Sequence, residues 1–450
     1  MTIAIVGGGV SGLSLAYELL ERGKSVVLLE SSGRPGGLVG SRTEGGFLVE
    51  TGPNSILDRE PAMRALVSSL GLQSRMRPAS TVSKRRFVFL NGGVREVPGS
   101  PPAMIKSNVL SFGGKLRAML EPFSGRGPAD EDESLASFAR RHLGKEATEK
   151  LVDAVQIGIF AGDPERLSAS AAFPRLWELE QQHRSLVLGA MRSRKKGAGP
   201  PGAMFTFDSG LQALTDELAI RVGDSLKLHA EVRALDCTEQ DGWRLIVNER
   251  GREEHLEAEQ LVLATPSYVA SKLLHRLHPD LASELNEIQF AAVTVVNIGF
   301  AKSDLPAPVE GFGYLIPERE RRKMLGAIYS SSVFPHRAPE EMILFTCLVG
   351  GARHPELAAQ DDGGLLRDVR GELALALGVN ADPKFVEIIR WPKAIPQYNV
   401  GHEARLMRME KLVAQLPGLH LHGQSYRGVG LNDCVRASAG LAARIAPRDD

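Results

Sequence analysis

The first thirty residues limit what this chain can become more than any other stretch. Residues 2–6 (TIAIV) form an apolar run of strand length, and residues 11–22 (SGLSLAYELLER) put Leu13, Ala16 and Leu20 on one helical face. Gly23 ends that helix and residues 25–30 (SVVLLE) form a second buried strand. Strand, helix and strand in this order imply a right-handed parallel crossover. Gly7, Gly9 and Gly12 stand as GxGxxG at the first turn. Gly7 permits the tight turn, Gly9 lets backbone approach a pyrophosphate, and Gly12 lets the helix pack closely on the strand. With Gly8, Val10 and Ser11 they set phosphates against the free amides of a helix N-terminus. Glu30, followed by Ser31, ends the second strand, where a carboxylate can accept hydrogen bonds from an adenosine ribose and would repel a 2′-phosphate. No second GxGxxG follows a strand, which argues against a pyridine-nucleotide site.

The rest of the chain narrows the class. Lysine plus arginine equals aspartate plus glutamate, 54 each, so no net basic field recruits nucleic acid. Cys237, Cys347 and Cys434 are far apart and form no CxxC, consistent with a reducing compartment. The eleven histidines show no HxxxH or HExxH spacing, so no metal site is expected. The N-terminus reads as a buried strand rather than a leader, and the longest apolar runs (155–160, 291–301) are too short to span a bilayer. Residues 78–104 read as a hairpin, RFVFL and VREVP flanking the turn Asn91-Gly92-Gly93. Residues 105–190 are helical in pattern, and 192–203 form a loop rich in Lys, Gly and Pro, read as flexible. Further strands are expected at 227–235, 261–266, 291–300, 311–317, 342–350, 385–391 and 420–423, and a helix beyond the last.

The N-terminal pattern continues through Ala16, Leu19, Gly23, Val26, Leu28, Glu30, Arg34, Gly36, Gly37 and Ser41. That string resembles the fingerprint of the flavoproteins that include amine oxidases, carotenoid desaturases and protoporphyrinogen oxidases. Five further stretches resemble the protoporphyrinogen oxidase family: 52–61 (GPNSILDREP), 158–174, 180–189 (EQQHRSLVLG), 390–402 (RWPKAIPQYNVGH) and 426–434 (YRGVGLNDC). The resemblance implies an α/β, FAD-binding, two-dinucleotide-binding-domain flavoprotein fold with a mixed-sheet substrate domain and a helical membrane-associating insertion. It divides the chain into a discontinuous FAD domain (1–77, 204–270, 416–450), a substrate domain (78–104, 271–415) and a helical domain (105–203). FAD is expected to be held non-covalently. Arg34, Gly36 and Gly37 would run beside the pyrophosphate and flavin, as would Gly52, Pro53, Asn54 and Ser55. Val232 would hold the adenine, and Gly423, Val429, Gly430 and Leu431 would face the isoalloxazine.

The implied reaction is oxidation of protoporphyrinogen to protoporphyrin in three rounds of hydride transfer, with dioxygen as acceptor. Because the pyrrole nitrogens assist departure of hydride, no strong base is needed and no catalytic side chain is assigned. Arg86, before Phe87, is expected to anchor a substrate propionate; Asn54 is expected to touch substrate, with capping of the following helix as its alternative. Gly158 is placed on a loop facing the macrocycle, or else is a close-packing residue. Trp391 and Tyr398 read as core or cavity wall. Coproporphyrinogen oxidation, an amine oxidase or carotenoid desaturase, and a flavin-free prenyl-GTPase escort stay open as alternatives, as does a homodimer. Residues 101–123 mix Met104, Ile105, Leu110, Phe112, Leu116 and Met119 with Lys106, Lys115 and Arg117, the composition of a helix in a lipid interface or of one packed on a core. The expected location is cytoplasmic, peripherally on the inner face of the cell membrane.

Overall fold

A computed structural model describes residues 2–125, 127, 131–195, 203–238 and 242–447. Five short strands form an all-parallel sheet in the order Leu226–Leu228, Ser25–Glu30, Thr2–Val6, Gln260–Leu263, Leu419–Leu421. Their apolar character follows from burial on both faces. On one face Ile3, Ile5, Leu28 and Val262 pack against the helices Val10–Leu20, Gln212–Val222 and Leu431–Ile445. On the other, Ala4, Val27, Leu29 and Leu261 pack against a three-stranded antiparallel sheet and the helices Ser267–Leu274 and Pro279–Asn286. The stretch 227–235, expected as one strand, is two. His229 takes a left-handed conformation (φ 58°), so Leu226–Leu228 joins the parallel sheet and Ala230–Cys237 the antiparallel one.

A seven-stranded mixed sheet follows the order Phe385–Pro396, Phe290–Ala301, Met342–Gly350, Gly326–Ile328, Gly313–Leu315, Arg86–Leu90, Gly93–Val97. The hairpin at its end turns on Asn91 and Gly92 alone, both at positive φ (51° and 78°), while Gly93 already opens the second strand. Two central residues with positive φ suit the right-handed twist of the strands. The strand expected over 311–317 shrinks to Gly313–Leu315, and that over 385–391 extends to Pro396.

The intervening segment is helical, but residues 101–123 do not form one helix. They split into Pro101–Lys106 and Phe112–Met119, followed by the short turn Glu121–Phe123. Ser100 and Ser111 each accept a hydrogen bond from a first-turn N–H, and such caps start new helices. Phe112 and Phe123 are each 84% exposed, whereas Leu110 is only 4% exposed and belongs to the interior. Arg117 donates to the carbonyls of Arg141 and His142, which occupies its guanidinium within the fold. Beneath this surface lies a buried polar node. The ring nitrogens of His142 stand 2.9 Å from Glu121 and 3.0 Å from Glu180, and Glu121 also accepts from the Ser185 hydroxyl and the Leu186 N–H. Among the described residues no helix is long and apolar enough to cross a membrane. Of the stretch 192–203, residues 196–202 lie outside the described residues.

Candidate functional site

A cavity of about 1100 Å³ opens along the carboxyl ends of the parallel strands, where ligands of open α/β sheets bind. The glycine turn forms its floor. A side chain at Gly12 would place Cβ 1.9 Å from the Gly7 carbonyl oxygen, so the close approach of helix and strand excludes every other residue. At Gly9 the same construction meets no protein atom within 4 Å, and Gly9 lines the cavity. The space its missing side chain leaves is therefore cavity, as a pyrophosphate cradle requires. Gly7, Val10 and Ser11 also line it, while Gly8 lies behind and donates its N–H to Glu30 Oε2 at 2.7 Å. Glu30 Oε1 accepts the Ser32 N–H at 2.8 Å, which fixes the carboxylate beside Ser31.

The second glycine pair packs onto the first. The Gly36 N–H donates to the Gly8 carbonyl at 2.8 Å, and both Gly36 and Gly37 line the cavity. Arg34 also lines it, yet its guanidinium donates to the carbonyls of Gly37 and Val39 at 2.6 and 2.8 Å. Its first task is to hold this loop. The His229 N–H bonds the Ser32 carbonyl, which brings Val232 to the same end of the cavity as Glu30. The other end is walled by Pro53, Trp391, Gln424, Val429 and Leu431, with Gly423 beneath. Trp391 donates its indole N–H to the Thr51 carbonyl at 2.6 Å, and the Tyr398 hydroxyl donates to the Gln424 carbonyl at 2.5 Å. Thus Trp391 is cavity wall and Tyr398 is core. Gly430 caps the helix Leu431–Ile445 from just outside the lining. Thr265 Oγ1 is buried on the cavity without a hydrogen-bond partner, a polar group suited to a polar ligand. The neighbouring His422 is held near pKa 4 by burial, so it carries no charge there at neutral pH.

Of Gly52, Pro53, Asn54 and Ser55, only Pro53 reaches the cavity lining. Gly52 packs on Leu38, and Ser55 stands outside the lining. Asn54 does not cap the helix Pro61–Ser69, since Glu60 does; its Oδ1 is buried without a partner. The segment is fixed by residues sequence reading missed. Arg337, 1% exposed, donates to Glu50 Oε1 and to the Asn54 carbonyl, each at 2.8 Å. Glu50 also accepts from the Ser41 hydroxyl (2.6 Å) and the Leu211 N–H (3.0 Å). Burial raises the Glu50 carboxyl and lowers the Arg337 guanidinium from their ordinary pKa values; their mutual attraction offsets each shift only in part. A span of 287 residues separates the partners, so no local pattern announces them.

Gly158 is not on a loop. It lies inside the helix Asp153–Phe160, a correction that follows from the continuous helical run AVQIGIF, and a Cβ there would sit 3.1 Å from Leu315 Cδ1. Val155 and Ile159, on the same helical face, are exposed. Leu315 pairs in register with Val88, two residues along the strand from Arg86, so Arg86 shares the sheet face that this helix approaches. The two arginines of the run divide as alternation requires. Arg85 pairs with Glu96 at 3.0 Å and Glu310 at 3.7 Å. Arg86 lies 4.9 Å from the Phe312 ring centroid, has no ion-pair partner among the described residues, and is lowered in pKa by partial burial.

A family model for flavin containing amine oxidoreductases matches residues 10–446. Mitochondrial protoporphyrinogen oxidase of Nicotiana tabacum is 33% identical over 98% of this chain and 94% of its own length. Protoporphyrinogen oxidase of Bos taurus is 31% identical over 99% and 98%. The chain belongs to the protoporphyrinogen oxidase family. A solved structure from Exiguobacterium sp. 255-15 superposes with a TM-score of 0.85 at 27% identity, covering 100% of this chain and 99% of that one. Cyclohexylamine oxidase from Brevibacterium oxydans shares the fold (TM-score 0.72, 18% identity, 99% and 98% covered). As a protoporphyrinogen oxidase family member the chain is an FAD-dependent oxidoreductase with an α/β flavoprotein fold, and FAD is bound non-covalently. The donors on the cavity fit that cofactor: backbone amides and a helix N-terminus for phosphates, Glu30 for a ribose, Pro53 and Trp391 for an apolar ring system.

Proposed function

We propose that this chain oxidises protoporphyrinogen IX to protoporphyrin IX, with dioxygen as the electron acceptor. The observation that carries the reading is full-length likeness to protoporphyrinogen oxidases, 33% identity across 98% of the chain. Bound FAD supplies a two-electron hydride acceptor. Six electrons leave the macrocycle in three rounds, and each round returns two to dioxygen, which departs as hydrogen peroxide with two protons. The exposed face of Val155, Gly158 and Ile159, opposed by Leu315, supplies an apolar wall for the macrocycle. Arg86 supplies the planar fork that matches a propionate, its charge having no ion-pair partner among the described residues. Gly7 to Gly12, Gly36, Gly37, Val232 and the turn before Leu431 hold the cofactor. The division into 1–77, 204–270 and 416–450 for FAD, 78–104 and 271–415 for substrate, and 105–203 for the insertion belongs to the same reading.

A second part of the proposal concerns location. Phe112, Leu116, Met119 and Phe123 project from the insertion, and a poorly soluble substrate favours an enzyme resting on a lipid surface on the cytoplasmic side. One rival substrate has specific support: coproporphyrinogen III oxidase of Bacillus subtilis is 28% identical over 96% of this chain. An aerobic assay with protoporphyrinogen and coproporphyrinogen in parallel, followed by porphyrin fluorescence, separates the two. Preference for the tetra-acid would overturn the protoporphyrinogen assignment.

A further inference from the structure

The charges on the cavity wall differ in how far each is already matched. Among the described residues three cations and two carboxylates line it: Arg34, Arg233 and Lys272 against Glu30 and Glu231. Glu30 accepts the Gly8 and Ser32 N–H groups. Arg34 commits its guanidinium to the carbonyls of Pro35, Gly37 and Val39. Arg233 pairs with Glu231 at 3.4 Å. Lys272 has neither an ion-pair nor a hydrogen-bond partner among the described residues.

The backbone places this lysine along the dinucleotide. The strand Gln260–Leu263 runs into Ala264 beside the phosphate turn, where a Cβ on Gly7 would lie 2.9 Å from the Ala264 carbonyl oxygen. The helix Ser267–Leu274 starts there and lies against the strand Ala230–Cys237, which carries Val232. Ala270 and Leu274 turn into the core beside Val232 and Leu235. Tyr268, Val269, Lys272 and Leu273 line the cavity, as the i, i+4 spacing of one helical face requires. Lys272 stands one turn beyond Tyr268, about 6 Å further along the axis. It therefore belongs to the stretch of wall between the Gly7 turn and Val232. Its side chain is exposed, so the apolar stem can follow Val269 and Leu273 while the ammonium moves onto a bound anion. The FAD diphosphate brings two full negative charges, whereas the amides and helix N-terminus of the glycine turn supply only partial positive charge. We propose that Lys272 neutralises the diphosphate of bound FAD from the helix wall and so holds the cofactor in the cavity. FAD binding is all this role requires; the porphyrinogen does not enter it.

Two probes of the full-length, flavin-stripped protein test this without substrate: FAD, and ADP-ribose, which carries the same diphosphate without the flavin. Lys272→Met should raise the dissociation constants of both about three- to tenfold at low salt, read by flavin fluorescence and by displacement of FAD. Lys272→Glu should weaken both further than Met does, and Lys272→Arg should stay within about twofold of wild type. About 1 M salt should narrow these differences, since the side chain is exposed and screened. Lys272→Gln provides a second neutral side chain if the Met variant is poorly made. Lys272 also lies in the last turn of its helix, where a cation suits the macrodipole. A role confined to the helix would lower the urea midpoint of the flavin-free protein and leave both affinities at wild type, which would overturn the proposal. So would a loss of FAD affinity with that of ADP-ribose unchanged, because the lysine would then act on the flavin half. An Arg variant as weak as the neutral ones, or a Glu variant no weaker than Met, would also overturn it by making the contact steric.

Discussion

Replacing Arg337 by Met removes the guanidinium from a fully buried site, while leaving a side chain of similar length. Three hydrogen bonds disappear, to Glu50, to the Asn54 carbonyl and to the Thr206 hydroxyl, and Glu50 stays behind with the Ser41 hydroxyl and the Leu211 N–H as its remaining donors. Breaking a buried pair from one side costs about 3–5 kcal/mol, most of it the penalty of an uncompensated charge. Removing both charges avoids that penalty, so Arg337→Met with Glu50→Gln should recover about half the loss or more. The pH dependence has a definite sign. Burial already raises the Glu50 carboxyl, and loss of the Arg337 attraction raises it further. A carboxyl that binds its proton more tightly in the folded state gains stability as pH falls through its folded pKa. The deficit of the single variant should therefore be largest at about pH 8 and shrink towards about pH 5.5, whereas the double variant should lack this slope. Urea midpoints monitored by tryptophan emission and by flavin release provide the measurement. Since Arg337 also secures the segment next to Pro53 through the Asn54 carbonyl, flavin should be released before the rest of the fold melts. A single variant within about 1 kcal/mol of wild type, or a double variant whose loss equals the sum of the singles, would refute the reasoning.

Three other outcomes follow from the described geometry. Gly9→Val should yield folded but colourless protein, because the added side chain enters space that only the cavity occupies; absorbance of the purified protein at the flavin band is the check. Arg86→Ala should raise KM for the porphyrinogen about tenfold or more with kcat little changed, while Arg85→Ala, whose charge is already spent on Glu96, should resemble wild type in the same steady-state assay. Phe112→Ser with Phe123→Ser should weaken sedimentation with anionic vesicles and leave stability unchanged, whereas Leu110→Ala should cost about 2–5 kcal/mol of stability, read by urea melts, because that side chain is interior.

The cofactor half of the molecule was legible because its constraints are local. Gly7, Gly9 and Gly12 act through backbone approach within one turn, and their spacing survives in the chain as letters. The flanking strands are buried on both faces and so read as unbroken apolar runs. Arg86 carries no such local mark: it stands out only by having no ion-pair partner among the described residues, and pairing is a tertiary property. Sequence reading failed where local patterns are silent or misleading. His229 breaks a strand without glycine or proline to announce it. Gly158 sits in a helix because Leu315 needs the room, although glycine alone suggests a loop. The segment 101–123 has the composition of a surface helix, yet Ser111 restarts it and turns Leu110 inward. The pair Glu50 and Arg337 could not be found at all, since charge in sequence usually means surface.

The parallel sheet takes its strands from residues 2–6, 25–30, 226–228, 260–263 and 419–421, and its order interleaves early and late parts of the chain. This has a kinetic consequence. The N-terminal crossover emerges first during synthesis, but the edge strand Leu419–Leu421 and the helix packed on Val10–Leu20 arrive only at the end. Contacts so distant in sequence form slowly, because the intervening loop entropy must be lost before they are rewarded. Until then the apolar edge of Gln260–Leu263 has no partner on one side, an opening for intermolecular strand pairing. Since the cavity takes its walls from both ends of the chain, a cofactor held there can bind tightly only to a chain that has closed this circuit, and its binding then pulls folding to completion by mass action. Flavin supply during expression should accordingly decide how much of the newly made chain remains soluble.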